Sequence, residues 1–168
     1  TRIATTPDNH TIVATGERPS ACVLLVDGFI YRSKASRNGG RQILSIHQPG
    51  DIPDLQSLYL LTMDHDVITL RECVAGFIQH SALRSLIRER PKVAEALRHD
   101  MLMDAAVFRE WIVNVGHRTA ESRIAHLILE IYSRLALINR TKGGRFEFPI
   151  TQAQLGEATG LSTVHVNR

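Results

Sequence analysis

The 25 residues 91–115 constrain the fold more than any other part of the chain. They contain no glycine and, after Pro91, no further proline. Apolar side chains recur every three or four positions, as at Val93, Met101 and Val115, which predicts an amphipathic helix about 37 Å long. Such a helix is longer than is needed to cover the apolar surface of the preceding β-rich region. The stretch therefore predicts a helix that pairs with a second copy of the chain, with a core helix crossing one domain as the alternative.

The first eighty residues have the pattern of β structure. Apolar runs rich in β-branched residues are separated by glycine-containing turns, without helical periodicity between them. Short strands spaced in this way indicate an antiparallel sandwich or barrel. Asp27-Gly28 has the sequence of a two-residue hairpin turn, and further turn signals follow at 38–40 and 49–51. The predicted strands are residues 21–26, 29–31, 42–46, 67–70 and 73–78.

Helical periodicity begins at about residue 80. We predict a helix over residues 80–90 with Ser81 as its N-cap, and we expect the long helix to end at Gly116. A further helix, capped by Thr119, should run to about residue 137. Residues 146–150 alternate apolar and polar side chains like a short strand. The fold class predicted from strands followed by helices is α+β.

Residues 151–168 have the pattern of a helix-turn-helix, in which two helices cross at roughly 90–120°. Thr151 and Ser162 are the predicted N-caps of the two helices. Gly156 is small at the position where the helices come closest, and Gly160 can adopt the positive φ of the turn. An ordinary pair of antiparallel helices uses the same residue types, and that fold is the alternative.

The charge distribution favours an anionic partner at the C-terminal end. The formal net charge is +3, and residues 117–168 contribute all of it, with 7 basic and 4 acidic side chains. Charge asymmetry of this kind points to an anionic partner bound at one end of the chain.

The two cysteines, Cys22 and Cys73, are too few for a disulfide framework and are predicted to be buried free thiols. No apolar run approaches the ~20 residues of a membrane span, and the N-terminal residues do not resemble a signal peptide. These features predict a cytoplasmic protein without a membrane partner.

The order of these features resembles the CRP/FNR family of bacterial transcription regulators. The resemblance rests on the turn at 49–51, on segments 108–118 and 123–127, and on the start of the second helix at 160–168. It covers residues 15–168. It implies an N-terminal antiparallel β-roll sensor, a long dimerisation helix and a C-terminal winged helix-turn-helix that is incomplete at Arg168. The implied domains are residues 1–90, 91–116 and 117–168.

The resemblance implies a homodimer that reads a two-fold symmetric site on double-stranded DNA, with RNA polymerase as a further candidate partner. Arg168 is the strongest base-reading candidate, because a guanidinium can bind O6 and N7 of guanine together. Val164 stands where well-known members carry an acidic residue, and its side chain suits a thymine methyl group. The implied DNA-binding residues are Thr151, Gln152, Ser162, Thr163, Val164, His165, Asn167 and Arg168. The predicted dimerisation residues are Leu97, Met101, Phe108, Trp111, Ile112 and Val115.

The predicted sensor departs from the cyclic-nucleotide-binding members. Those members carry a Gly-Glu pair and an Arg-Ser or Arg-Thr pair that neutralise a cyclic phosphate. This chain has Ile52-Pro53-Asp54-Leu55-Gln56 in the first place and Asp64-His65-Asp66 in the second. Because carboxylates repel a phosphate, we expect an effector that is not a cyclic nucleotide. The candidate effector-binding residues are Asp51, Asp54, Gln56 and His65.

No cofactor, metal site or enzymatic activity is predicted. Iron–sulfur members of the family need four cysteines, and this chain has two that lie far apart. His65 between two aspartates is a candidate metal or haem ligand, with a solvated loop tip as the alternative. Two other functions stay open: a ligand-sensing module that acts through protein contacts, and an enzyme with a metal site in the β-roll.

Overall fold

The computed structural model describes residues 1–37 and 39–167. Strands fill the N-terminal half and helices the C-terminal half, which confirms the α+β class. The strands are β1 Arg2–Thr6, β2 Thr11–Val13, β3 Ala21–Asp27, β4 Ile30–Ala35, β5 Arg41–His47, β6 Asp66–Thr69 and β7 Cys73–Gln79. The helices are α1 His80–Glu89, α2 Pro91–His117, α3 Ala120–Leu137, α4 Gln152–Thr159 and α5 Thr163–Val166, and a 3-10 turn spans Leu55–Leu58.

The strands form two antiparallel sheets that face each other, and we call this unit the β-roll (residues 2–79). One sheet has the order β1-β7-β3 and the other β2-β6-β4-β5. The two cysteines are buried free thiols, as predicted. Apolar side chains from both sheets, together with Met63 from the segment before β6, fill the space between them: Val13, Val23, Leu25, Ile30, Val67, Cys73 and Ala75.

The hairpin predicted at Asp27-Gly28 is wrong. β3 pairs with β7, whereas β4 pairs with β5 and β6, so this turn carries the chain from one sheet to the other. Gly28 has a φ of +90°, and a Cβ atom there would lie 2.7 Å from the Cβ of Cys73. The Asp-Gly dipeptide therefore indicates a backbone conformation that requires glycine. Both a hairpin turn and a connection between two sheets can have this conformation.

The helices begin and end near their predicted positions, with two corrections. The N-cap of α1 is Gln79 and not Ser81. α2 continues through Gly116 to His117, which makes it 27 residues or about 40 Å long. A Cβ atom on Gly116 would meet nothing within 4 Å, so this glycine lies on an open helix face and does not act as a helix stop.

Residues 146–150 do not form the predicted strand. Phe146 packs edge-on against Tyr132 of α3 at 5.6 Å and against Phe148 at 5.9 Å. In the described part of the chain these residues pair with no strand, and the alternating pattern reflects aromatic packing on α3.

The outer face of the second sheet is covered by α2, α3 and α4. Residues 120–167, which we call the reader domain, share one apolar core with the β-roll. Its buried members are Phe29, Tyr31, Ile43, Ile46, Ile68, Leu70, Trp111, Leu127, Ile131, Leu135 and Ala158. Among the described residues, no helix combines the length and the hydropathy that a bilayer crossing requires.

Candidate nucleic-acid interface and sensor cavity

The predicted helix-turn-helix is formed by α4 and α5. Thr151 caps α4 by accepting a hydrogen bond from the Gln154 backbone N–H at 3.2 Å. The Gln154 side chain accepts in return from the Thr151 N–H at 3.0 Å, which completes a capping box. Gly160 ends α4 in the left-handed region with a φ of 66°. Gly156 lies so close to the turn that a Cβ atom would sit 2.7 Å from the Leu161 carbonyl oxygen.

Side chains on α5 are presented to solvent. Ser162 caps this helix, accepting from the His165 backbone N–H at 3.4 Å, while its Oγ lies 2.9 Å from Nδ1 of His165. Val164 is 60% exposed. Seven of the predicted DNA-binding residues are exposed: Thr151, Gln152, Ser162, Thr163, Val164, His165 and Asn167. Arg168 lies outside the described residues.

Arg123, which sequence reasoning did not single out, fixes the turn to the start of α3. Its Nε donates to the Arg118 carbonyl oxygen at 2.9 Å, and its Nη1 donates to the Thr159 carbonyl oxygen at 3.1 Å. The buried Asn114 of α2 donates to the Arg123 carbonyl oxygen at 3.3 Å. One arginine thus joins the end of α4 to the junction between α2 and α3.

Polar contacts hold the reader domain on the β-roll. Arg41 of β5 pairs with Glu157 of α4 at 2.8 Å. Arg134 of α3 donates to the Ile46 carbonyl oxygen at 2.7 Å and forms an ion pair with Asp51. Because these contacts border a shared apolar core, the described reader domain has a fixed orientation on the roll.

A cavity of about 330 Å³ lies where the β-roll, α2 and α3 meet, and we call it the sensor cavity. Its polar lining comes from three sources: Arg32, Ser45, His47, Gln48, Asp51 and Gln56 of the roll, Asp100 and Asp104 of α2, and Arg134 of α3. Apolar side chains of the same elements complete the wall.

The charged groups of the cavity are largely paired. Asp51 accepts from the Gln48 backbone N–H at 3.1 Å and lies 3.2 Å from His47 Nδ1. Burial acts to raise the pKa of Asp51, but the His47 hydrogen bond and the Arg134 guanidinium outweigh it and bring the pKa to about 2. Burial, together with the charge of Arg32, lowers the pKa of His47 to about 4, so His47 is neutral at pH 7.

The four candidate effector residues do not share one environment. Asp51 and Gln56 line the cavity. His65 is buried rather than at a solvated loop tip, with Nδ1 2.8 Å from Asp64 Oδ1 and Nε2 3.0 Å from Gln56 Nε2. Asp54 is fully buried, and one of its oxygens accepts from the Val23 N–H at 2.7 Å. The described residues contain no cluster of His, Cys, Asp or Glu suited to a metal ion.

The predicted dimerisation residues divide between two faces of α2. Met101 and Ile112 are exposed, Ile112 to 68%. Trp111 is only 6% exposed, and its Nε1 donates to Glu130 of α3 at 2.7 Å. Trp111 lies on the face against which α3 packs, so its own chain already covers it. The three other predicted residues, Leu97, Phe108 and Val115, are partly buried.

Comparison with known proteins agrees with this arrangement. The sequence profile of the cyclic nucleotide-binding domain matches residues 5–90, and that of the Crp-like helix-turn-helix domain matches residues 122–168. The chain belongs to the CRP/FNR family of transcription regulators. The second profile includes α4 and α5, so these helices are the helix-turn-helix of a Crp-like domain.

Relatives and solved structures extend over nearly the whole chain. It is 24% identical over 165 residues to the transcriptional activator protein FnrL of Cereibacter sphaeroides, covering 95% of this chain and 64% of FnrL. It is 23% identical over 165 residues to a CRP-like cAMP-activated global transcriptional regulator of Mycobacterium tuberculosis, covering 96% and 72%. The structure of FixK2 from Bradyrhizobium japonicum superposes with a TM-score of 0.88 at 20% identity, covering 99% of this chain and 80% of FixK2. The chain thus spans just under two thirds of the length of FnrL.

Proposed function

We propose that the protein is a transcription regulator that binds a two-fold symmetric site on double-stranded DNA as a homodimer. The observation that carries this proposal is the α4–α5 pair, in which both helices are capped and the second exposes Thr163, Val164 and His165 to solvent. Because its DNA target lies there, we propose that the protein acts in the bacterial cytoplasm. RNA polymerase is a further candidate partner. We propose no enzymatic reaction.

The proposal is tested by DNA binding of the full-length protein. A site is selected from a random DNA pool, and its affinity is compared with that of scrambled DNA at ~150 mM salt. A specific reader should prefer its site by at least ~10³-fold, with affinity that falls steeply as salt rises. Equal affinity for both DNAs would overturn the claim of specific reading. A module that acts only through protein contacts would show no salt-dependent DNA binding.

Val164 offers a test of base reading at a single position. A valine cannot accept a hydrogen bond from the cytosine amino group, whereas a glutamate can. We expect Val164→Glu to shift the preferred base at one position of each half-site toward a C·G pair, by about 1–3 kcal/mol. Repeating the site selection with the variant measures this shift. An unchanged selected site would show that Val164 does not face the bases.

Self-pairing through α2 is proposed from the exposed apolar side chains along one face of this helix. Leu102 is 70% exposed and Ile112 is 68% exposed, and Met101 lies beside them. Exposed apolar side chains repeated along a long helix are typical of an interface between copies. Trp111, which α3 already covers, is left out of the proposed interface.

Ile112→Glu tests this interface. Because the substitution places a carboxylate inside the proposed apolar interface on both copies, we expect the burial of these charges to weaken dimerisation by ~100-fold. Analytical ultracentrifugation at micromolar concentration measures the change. His99→Glu, at an exposed polar position of the same helix, is the matched control and should remain dimeric. A dimer that resists the Ile112 change would place self-pairing elsewhere.

The sensor cavity is the proposed site of any effector. Both of its arginines are already paired with carboxylates, Arg32 with Asp104 and Arg134 with Asp51. A phosphate entering the cavity would have to compete with those carboxylates. This supports an effector other than a cyclic nucleotide.

A further inference from the structure

The side chain of Arg32 on β4 is buried and lines the sensor cavity. It is 3% exposed. Nε donates to the Pro53 carbonyl oxygen at 2.5 Å, and Nη1 donates to Asp104 Oδ2 of α2 at 2.6 Å. Nη2 lies 3.5 Å from Gln56 Oε1. The guanidinium thus contacts the β-roll on one side and the long helix on the other.

The same guanidinium also packs on an aromatic ring of α2. Its central carbon lies 5.7 Å from the ring centre of Phe108, within the range of a cation–π contact. Asp104 and Phe108 are four residues apart and therefore lie on one face of the helix. Arg32 contacts this face of α2 through both the Asp104 carboxylate and the Phe108 ring. The two contacts restrain the translation of α2 along its axis and its rotation about that axis, both relative to the β-roll.

A buried arginine is stable only when its charge and donors are satisfied, because desolvation of an unpaired ion is costly. Here the Pro53 carbonyl, the Gln56 side-chain oxygen, the Asp104 carboxylate and the Phe108 ring satisfy it. Nothing from outside the chain is needed to neutralise this charge.

We propose that Arg32 is a built-in bridge that positions the long helix on the β-roll, so that the protein binds its DNA site without a small-molecule activator. The inference rests on the proposed function and specifies its regulation. A molecule that displaces Arg32 from Asp104 weakens DNA binding, because α2 then loses this contact with the β-roll. Arg32 is a positioning residue, since it acts on the reader domain through α2.

The experiment uses full-length protein unfolded in guanidinium chloride, dialysed and refolded, so that any carried ligand is removed. Three variants are compared: Arg32→Met, Asp104→Asn and, as the control, Lys34→Met. Lys34 lies on the same strand, but its ammonium faces Asp64 at 3.5 Å and not α2. Affinity for the selected DNA site, the dimer dissociation constant and the thermal midpoint are measured for each.

Trp111 supplies a readout of helix position. It is the only tryptophan of the chain, and it lies buried between α2 and α3. Because Trp111 belongs to the apolar core shared with the β-roll, a shift of α2 against the roll exposes its ring to water and moves its emission to longer wavelength. A substitution that lowers stability without moving α2 leaves the native-state emission unchanged.

We expect the refolded wild-type protein to bind its DNA site when no small molecule has been added. Arg32→Met and Asp104→Asn should each weaken site binding roughly tenfold and shift Trp111 emission to the red, while Lys34→Met does neither. Should Arg32→Met fail to fold, Asp104→Asn decides, because that carboxylate is 31% exposed and its loss leaves the core intact.

Two results would overturn the bridge. One is a refolded wild-type protein that binds its site only after a cell extract of small molecules is added. The other is a pair of variants, Arg32→Met and Asp104→Asn, that both match the wild type in site affinity and in Trp111 emission. Failure of the proposed function is distinguishable, because the wild-type protein would then bind no DNA specifically, while Trp111 emission and the dimer dissociation constant would still report on the bridge.

Discussion

Replacing Gly156 by valine is expected to reduce specific DNA binding to the level of non-specific binding, a loss of at least ~10³-fold. A Cβ atom at this position would lie 2.7 Å from the Leu161 carbonyl oxygen, which is backbone and cannot rotate away. The turn would have to open, and α5 would lose its crossing angle on α4. Since recognition depends on how one helix is presented to the major groove, a moved α5 cannot read its site.

The matched control is Gly116→Ala. This glycine is also helical, but a Cβ atom there meets nothing within 4 Å. Alanine should raise helix stability by about 0.5–1 kcal/mol and leave site affinity unchanged. Circular dichroism should show that Gly156→Val retains the folded β-roll, because the core between the two sheets contains no residue of α4 or α5. Site affinity within threefold of wild type in Gly156→Val would mean that the α4–α5 crossing is not what reads DNA.

The helix caps and the turn of the reader domain could be predicted closely because their signals are local. Thr151 and Gln154 are three residues apart and bond each other, and Gly160 needs its φ whatever lies around it. Caps and positive-φ turns depend on the backbone within a few residues, so the sequence specifies them directly. The ends of α3 and α4 followed from such signals.

Pairing between distant segments could not be predicted in the same way. Asp27-Gly28 indicates a turn, but nothing in the dipeptide states whether the next strand pairs with the last one. β1 and β2 escaped prediction because β1 is mostly exposed and β2 has three residues, so neither has an apolar run. Their partners, β7 and β6, lie more than fifty residues away along the chain.

The sensor cavity was the least predictable part. Arg32 reads in the sequence as an ordinary charged residue of a strand, and its burial depends on Asp104, 72 residues away. The sequence drew attention instead to the acidic residues around 64–66, where a phosphate-binding arginine would be sought. The buried positive charge in the cavity wall comes instead from Arg32 on the neighbouring strand β4.

Asp54 predicts an unusual dependence of stability on pH. Burial raises the pKa of this carboxyl from 3.8 to about 7, although the Val23 N–H and the charge of Arg32 act to lower it. Its Oδ2 has no hydrogen-bond partner among the described residues. In the unfolded chain the carboxyl is charged above about pH 4, whereas in the folded chain it stays protonated up to about pH 7. The folded state therefore binds the extra proton, and the free energy of unfolding falls as the pH rises through this window.

Asp54→Asn isolates this effect, because asparagine has nearly the same shape and stays neutral while its carbonyl oxygen can still accept from Val23. The difference in unfolding free energy, variant minus wild type, should rise by about 4 kcal/mol between pH 4 and pH 7.5 and then level off. His47 contributes with the opposite sign, since its folded pKa of about 4 makes stability rise with pH up to about 6.5. Because both proteins contain His47, its contribution cancels in the difference.

Urea unfolding at half-unit pH intervals measures the difference. Asp64→Asn is the control, because hydrogen bonding from His65 and the charge of Lys34 lower the pKa of this exposed carboxyl. Loss of the Asp64 carboxylate should leave the Asp64→Asn variant slightly less stable than wild type at neutral pH. This effect is opposite in direction to that expected for Asp54→Asn. A difference for Asp54→Asn that stays flat from pH 4 to pH 7.5 would mean that the buried carboxyl is charged throughout, with a neighbouring group or water supplying the partner that Oδ2 needs.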